Sequence, residues 1–137
     1  QGTSLIWITH NLAVVAGLAD RICVMYAGRI VEQGATDDVL DRPLHPYTRG
    51  LLASVPGAAQ REARSRLPTI RGVVPDLARL PAGCRFRDRC DDAVERCARE
   101  EPPLVELGHG RQVACFVAVE KLRGGRDQDA ASRSEDG

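Results

Sequence analysis

The stretch RICVMYAGRIVEQG, residues 21–34, predicts the fold more directly than any other segment. Its first half, residues 21–26, is apolar and β-branched, and residues 29–33 return beside it as a second strand. Between the two halves, Ala27-Gly28 supplies the small residues of a tight turn. We therefore predict a β-hairpin that Gly34 closes.

An apolar run precedes the hairpin. Residues 4–9 (SLIWIT) predict a buried strand, and Asn11 is suited to cap a short helix over 12–19. The order strand, helix, hairpin predicts the edge of an α/β sheet. Because a strand needs neighbours for its backbone hydrogen bonds and none precedes this one, we expect the chain to start within a larger fold.

Composition excludes several classes of protein. The 137 residues include nineteen basic and nineteen acidic side chains, so no net charge attracts nucleic acid or anionic lipid. No apolar run approaches the roughly twenty residues that cross a bilayer, and no signal-peptide pattern is present. We expect a soluble protein of the cytosol.

One histidine has a position that suggests binding. His10 follows the predicted strand, and in open α/β sheets ligands collect at the carboxyl ends of strands. An imidazole there can hydrogen-bond a phosphate oxygen. On position alone, however, a solvated or structural histidine is the better interpretation.

Four of the five cysteines are clustered. Cys84, Cys90, Cys97 and Cys115 fall within 32 residues, and four thiolates can bind a tetrahedral zinc ion or an iron–sulfur cluster. Their spacings exceed those of most structural zinc sites, which favours the larger cluster. Free thiols or disulfides are the alternative, although stable disulfides are uncommon in the cytosol. Cys23 lies in the apolar strand and is predicted to be a core residue.

Two groups of motifs resemble one protein family. LIWITHNL (5–12) and ADRICVMYAGRIVEQG (19–34) resemble the last third of an ABC transporter nucleotide-binding domain. HPYTRGLL (45–52), PAGCRFRDRC (81–90) and RQVAC (111–115) resemble the C-terminal extension of oligopeptide and dipeptide importer ATPases. Together they cover most of the chain.

The resemblance implies roles for five residues. His10 corresponds to the switch-loop histidine, which contacts the γ-phosphate of ATP; magnesium accompanies the nucleotide in the full subunit. The four cysteines correspond to those associated with a [4Fe–4S] cluster, with zinc as the alternative metal. Asn11 stands where many members have Asp, and Asp88 where the usual pattern has Pro. Neither change removes a ligand.

The resemblance and the composition together predict an α/β architecture in four parts. Residues 1–58 would be the C-terminal edge of an ABC-type nucleotide-binding domain, and 59–82 an extended linker. Residues 83–119 would form a small, loop-rich, cysteine-ligated extension, and 120–137 a disordered tail. Near the cysteines are four arginines that either offset the charge of a cluster or form a solvated basic face: Arg85, Arg87, Arg89 and Arg96.

The implied function is part of the ATP-hydrolysing subunit that energises peptide import. Its partners would be a second ATP-binding subunit and the transmembrane permease subunits. It would lie peripherally at the cytoplasmic face of the plasma (inner) membrane and touch the membrane only through the permease. The sequence has no G-x-x-x-x-G-K-[ST] phosphate loop, no signature motif and no magnesium-binding motif, so we expect no hydrolysis by this chain alone.

Two other functions compete with this one. A stand-alone iron–sulfur or zinc-binding interaction module would use the α/β part only as a scaffold. A zinc protein that binds nucleic acid is disfavoured by the zero net charge and the 4% aromatic content, which leaves few rings to stack on bases.

Overall fold

The predicted hairpin is confirmed in a computed structural model, which describes residues 2–55 and 70–133. Strand β1 (Arg21–Tyr26) pairs antiparallel with β2 (Arg29–Ala35). Ala27 (φ 45°) and Gly28 (φ 79°) form the turn. Both have left-handed backbone, which matches the twist of a two-residue hairpin turn.

Two short strands extend this sheet. Strands β3 (Val105–Glu106) and β4 (Gln112–Val113) complete a four-stranded antiparallel sheet with the order β1-β2-β4-β3. Because Glu32 of β2 lies opposite Val113 of β4, the cysteine-rich segment and the hairpin share one sheet. The protein is thus a small mixed α/β fold.

The helices are short except for the last. They are α1 (Leu12–Val15), α2 (Thr36–Asp41), α3 (Pro46–Ala53), α4 (Arg96–Arg99) and α5 (Phe116–Arg133), with a 3₁₀ turn at Arg87–Arg89. Among the residues described, none of these helices combines the length and apolar character needed to cross a membrane.

The C-terminal helix overlaps the segment for which the sequence predicts a disordered tail. Residues 120–133 belong to α5, where the sequence predicts disorder over 120–137; residues 134–137 lie outside the described range. The first turn of α5 is anchored, since Phe116, Ala118 and Val119 are buried and the last two pack on Val113. Once this turn is packed, the polar residues after it can extend an existing helix and need not start a new one.

The segment before the hairpin also differs from the prediction. Residues 2–10 form no strand, and Leu5, Ile6 and Ile8 are 79%, 89% and 94% exposed. No described strand lies beside this segment, so its backbone groups have no ladder to join. The described sheet is antiparallel throughout, and α1 ends at Val15 rather than at residue 19.

The core forms on the inner face of the hairpin. Ile22, Val24 and Tyr26 alternate with exposed residues along β1 and are at most 6% exposed. The Tyr26 ring lies 4.7 Å from that of Tyr47 and 5.1 Å from that of Phe86, between ring centroids. This aromatic contact joins the hairpin, α3 and the cysteine-rich segment.

A buried carboxylate connects the same three regions. Glu32 is fully buried and accepts hydrogen bonds from the backbone N–H groups of Leu44 (2.9 Å) and His45 (2.8 Å). The Arg111 guanidinium donates to Glu32 at 3.1 Å and to the Asp38 carbonyl at 2.6 Å. Strand β2, helix α2, the start of α3 and the loop before β4 therefore meet at one ion pair.

We predict that Arg111→Met lowers the free energy of unfolding by about 3 kcal/mol, because it leaves the Glu32 carboxylate buried without its counter-ion. Chemical denaturation measures this loss. Adding Glu32→Gln should restore part of it. The matched control is Arg42→Gln, whose exposed ion pair with Asp38 contributes less than about 0.5 kcal/mol. Equal losses in the Arg111 and Arg42 variants would contradict the assignment.

Candidate functional site

The four clustered cysteines lie at the ends of short elements. Cys84 and Cys90 flank the 3₁₀ turn, Cys97 lies within α4, and Cys115 directly precedes α5. Cys97 is buried and the other three are partly exposed. The short elements of the module thus lie directly beside its thiols.

A glycine brings two of these segments into contact. The backbone N–H of Cys84 donates to the Cys97 carbonyl at 2.8 Å. Gly83 precedes it with φ 75°, and a Cβ at this position would lie 2.3 Å from the same carbonyl oxygen. Only glycine permits this close approach, which sets Cys84 beside Cys97.

The four thiols are close enough to affect one another electrostatically. Burial raises the pKa of Cys84, Cys90 and Cys115 above the ordinary value, and that of Cys90 to about 11. The charges of Cys97 and Cys115 further raise the pKa of Cys84, and those of Cys115 and Cys84 raise that of Cys90. That Cys84, Cys90, Cys97 and Cys115 act as one metal site stays a prediction.

Backbone N–H groups point at three of the sulfur atoms. The donors come two or three residues after each cysteine: Phe86 and Arg87 to Cys84, Asp92 to Cys90, and Val117 and Ala118 to Cys115. Each such bond lowers the pKa of the thiol by stabilising the thiolate. Thiolate is the form that binds metals, and N–H groups on the sulfurs tune metal–sulfur sites.

The thiols do not converge on a single point. Within residues 2–55 and 70–133, no three His, Cys, Asp or Glu side chains are arranged to hold one metal ion. The four cysteines are thus electrostatic neighbours without the geometry of a mononuclear site.

The four arginines near the cysteines in sequence are engaged elsewhere. Arg85 bonds the Ala27 carbonyl and Glu101, Arg87 the Ala82 and Ala98 carbonyls, Arg89 the Arg71 carbonyl, and Arg96 the Glu100 carboxylate. The arginine whose charge lowers the pKa of Cys115 is Arg49 of α3. Sequence reasoning missed Arg49, because 66 positions separate it from Cys115.

His10 occupies a different part of the molecule. It is exposed and borders an apolar cavity of about 470 Å³, which Trp7, Tyr47 and Leu51 also line. The strand that was predicted to end at His10 is not formed. None of Cys84, Cys90, Cys97 and Cys115 lines this cavity, so the structure does not bring the histidine and the cysteine group together.

Cys23 is not the core residue that the sequence predicts. It lies on the exposed face of β1, and its Sγ atom contacts Gln33 Oε1 at 3.4 Å. The alternation of β1 explains this: Ile22 and Val24 turn inward, so the residue between them faces out.

Comparisons with known proteins bear on both sites. A family described as "Oligopeptide/dipeptide transporter, C-terminal region" matches residues 31–97. The oligopeptide transport ATP-binding protein OppD of Escherichia coli (strain K12) is 50% identical over 120 residues, covering 88% of this chain and 35% of that protein. The probable peptide ABC transporter ATP-binding protein y4tR of Sinorhizobium fredii is 49% identical, covering 88% and 36% respectively. The chain thus spans about a third of the length of these curated relatives.

The pKa of Cys90 yields a test of the metal-free site. At pH 8, we predict that Cys90 is alkylated on the order of a hundredfold more slowly in the folded, metal-free protein than in the unfolded chain, because the thiolate is the reactive form. Its rate should rise tenfold per pH unit until pH approaches 11. Mass spectrometry of the labelled peptide measures the rate. A rate that levels off near pH 8.5 would contradict the burial argument.

Proposed function

We propose that this chain, which matches the C-terminal region of oligopeptide/dipeptide transporters, helps to energise peptide import as part of an ATP-binding protein. The observation that carries the proposal is the 50% identity to an oligopeptide transport ATP-binding protein over 88% of the chain. A match over 88% of the chain takes in the hairpin and the cysteine-rich segment together, and these also share one sheet.

In this proposal His10 contacts the γ-phosphate of ATP. His10 is exposed at the rim of the cavity, so its imidazole is accessible to a nucleotide. The phosphate loop, the signature motif and the magnesium ligands come from residues that this sequence does not contain, and these groups supply most of the catalysis in phosphoryl transfer. His10 therefore senses the nucleotide and does not hydrolyse it unaided.

The proposed assembly has three kinds of subunit. The ATP-binding subunit that includes this chain pairs with a second one around ATP, and the pair drives transmembrane permease subunits at the cytoplasmic face of the membrane. We assign residues 1–58 to the edge of the nucleotide-binding domain, 59–82 to a linker and 83–119 to the extension. Residues 59–69 of this linker, and residues 56–58 before it, lie outside the described range.

A chimera tests the transport function. We predict that this chain, replacing the matching segment of the Escherichia coli oligopeptide transport ATP-binding protein, restores peptide uptake to a strain lacking that protein. His10→Ala in the chimera should reduce ATP hydrolysis about a hundredfold, since it removes a hydrogen bond to the reacting phosphate.

His109 provides the matched control, because it is also exposed but lies in the β3–β4 turn. His109→Asn suits its left-handed backbone (φ 53°) and should leave hydrolysis unchanged. A chimera that assembles but transports nothing would count against the proposal, as would equal losses in the two histidine variants.

We also propose that Cys84, Cys90, Cys97 and Cys115 hold a [4Fe–4S] cluster. Two observations support it: the mutual electrostatic effects of the thiols and the N–H groups directed at their sulfurs. A cluster has corners several ångströms apart, which suits thiols that are electrostatic neighbours. Bound there, it would cross-link loops that have little apolar surface of their own.

Metal analysis tests this second proposal. Protein purified without oxygen should absorb broadly in the visible range and contain iron and sulfide in nearly equal amounts. Cys97→Ser should release the metal, whereas Cys23→Ser, on the exposed face of β1, should retain it. Colourless protein with one zinc per chain would refute the cluster, and equal metal loss in both variants would refute the ligand set.

A further inference from the structure

Helix α3 stands between the two candidate sites. On one side of the helix, Tyr47 and Leu51 line the cavity that His10 borders. On another side, Arg49 and Gly50 line a polar cleft of about 350 Å³ together with Asp92, two residues after Cys90. The helix is held at its start by His45, whose Nδ1 accepts the Tyr47 N–H at 3.0 Å.

Arg49 makes the contact between α3 and the cysteine-rich loop. Its guanidinium forms an ion pair with the Asp92 carboxylate across 43 positions of sequence. The backbone N–H of the same Asp92 donates to the sulfur of Cys90. One residue, Asp92, thus connects the arginine to a ligand of the proposed cluster.

Arg49 also acts on a second cysteine. Its positive charge lies near enough to Cys115 to lower the pKa of that thiol. Cys90 and Cys115 come from opposite ends of the module, one after the 3₁₀ turn and one before α5. Arg49 therefore lies where both ends approach α3.

We propose that Arg49 is a positioning residue of the cysteine site: through its ion pair with Asp92 it clamps the Cys90 loop to α3 and brings a positive charge to that loop. The inference rests on the proposed cluster and goes beyond it by assigning a residue outside the cysteine-rich segment.

The positive charge of Arg49 fixes the direction in which it shifts the reduction potential of the proposed cluster. Reduction adds an electron to a thiolate-ligated cluster, so a nearby guanidinium stabilises the reduced form more than the oxidised form. Removing Arg49 should make the reduction potential more negative. Removing the charge of Asp92, by Asp92→Asn, should make the potential less negative, while its backbone N–H to Cys90 remains.

Two measurements on the anaerobically purified protein test this inference: the rate of iron release and the midpoint potential. Release of iron to a ferrous-iron chelator should be about two- to fivefold faster in Arg49→Gln and in Asp92→Asn, the range expected for losing one partly exposed ion pair. The midpoint potential should move in opposite directions in these two variants. Arg49→Lys should keep most of the potential, because it keeps the charge.

Arg71 is the matched control. It pairs with Asp91 at the same cleft, but both side chains are about 80% exposed. Arg71→Gln should leave iron release and potential unchanged. Equal behaviour of Arg49→Gln and Arg71→Gln, with iron present, would overturn this inference and leave the cluster intact. Parent protein without iron and sulfide would overturn both.

Discussion

The fold depends on satisfying one buried carboxylate. Glu32 is 0% exposed in the middle of β2, and an unpaired charge there would cost several kcal/mol. Its partners, the Leu44 and His45 N–H groups and the Arg111 guanidinium, come from both sides of the linker region. The ion pair therefore fixes the entry to α3 and the register of β4 at once. This explains how strands as short as two residues can keep a defined place beside the hairpin.

His45 is also held in place by Glu32. Its backbone is held by Glu32 and its imidazole is buried against Phe86, with ring centroids 5.6 Å apart. Burial, with a smaller contribution from the charge of Arg49, lowers the pKa of His45 to about 4. The imidazole stays neutral at pH 7 and its Nδ1 remains free to accept the Tyr47 N–H. A depressed histidine pKa stabilises the fold above pH 6.5, and that stabilisation declines as the pH falls toward 4.

Sequence patterns predicted those elements whose formation depends on residues close together in the chain. The hairpin followed from β-branched residues around Ala27-Gly28, and the start of α3 from Pro46. The pairing of β2 with β4 could not be predicted, because two-residue strands carry no periodicity and Glu32 is an unlikely residue for a buried strand position. Residues 4–9 had a strong strand pattern and formed no strand, since a pattern supplies apolar side chains but not a neighbouring backbone. The cysteine spacing suggests a shared site from sequence alone, whereas the ion pair of Arg49 with Asp92 joins residues 43 positions apart and could not be read from the sequence.

The choice of Arg49 over its nearer rivals has a physical reason. Arg85, Arg87 and Arg89 are close to the cysteines in sequence, but loops leave many carbonyl groups without helix or sheet partners, and a guanidinium can bind several of them. The guanidinium groups of those arginines are thus already engaged by carbonyl groups. A positive charge for the thiolates must then come from an element whose own backbone is already satisfied, and a residue within α3 meets that condition. An ion pair from α3 therefore connects a module with little apolar core to the more firmly packed hairpin and helix beside it.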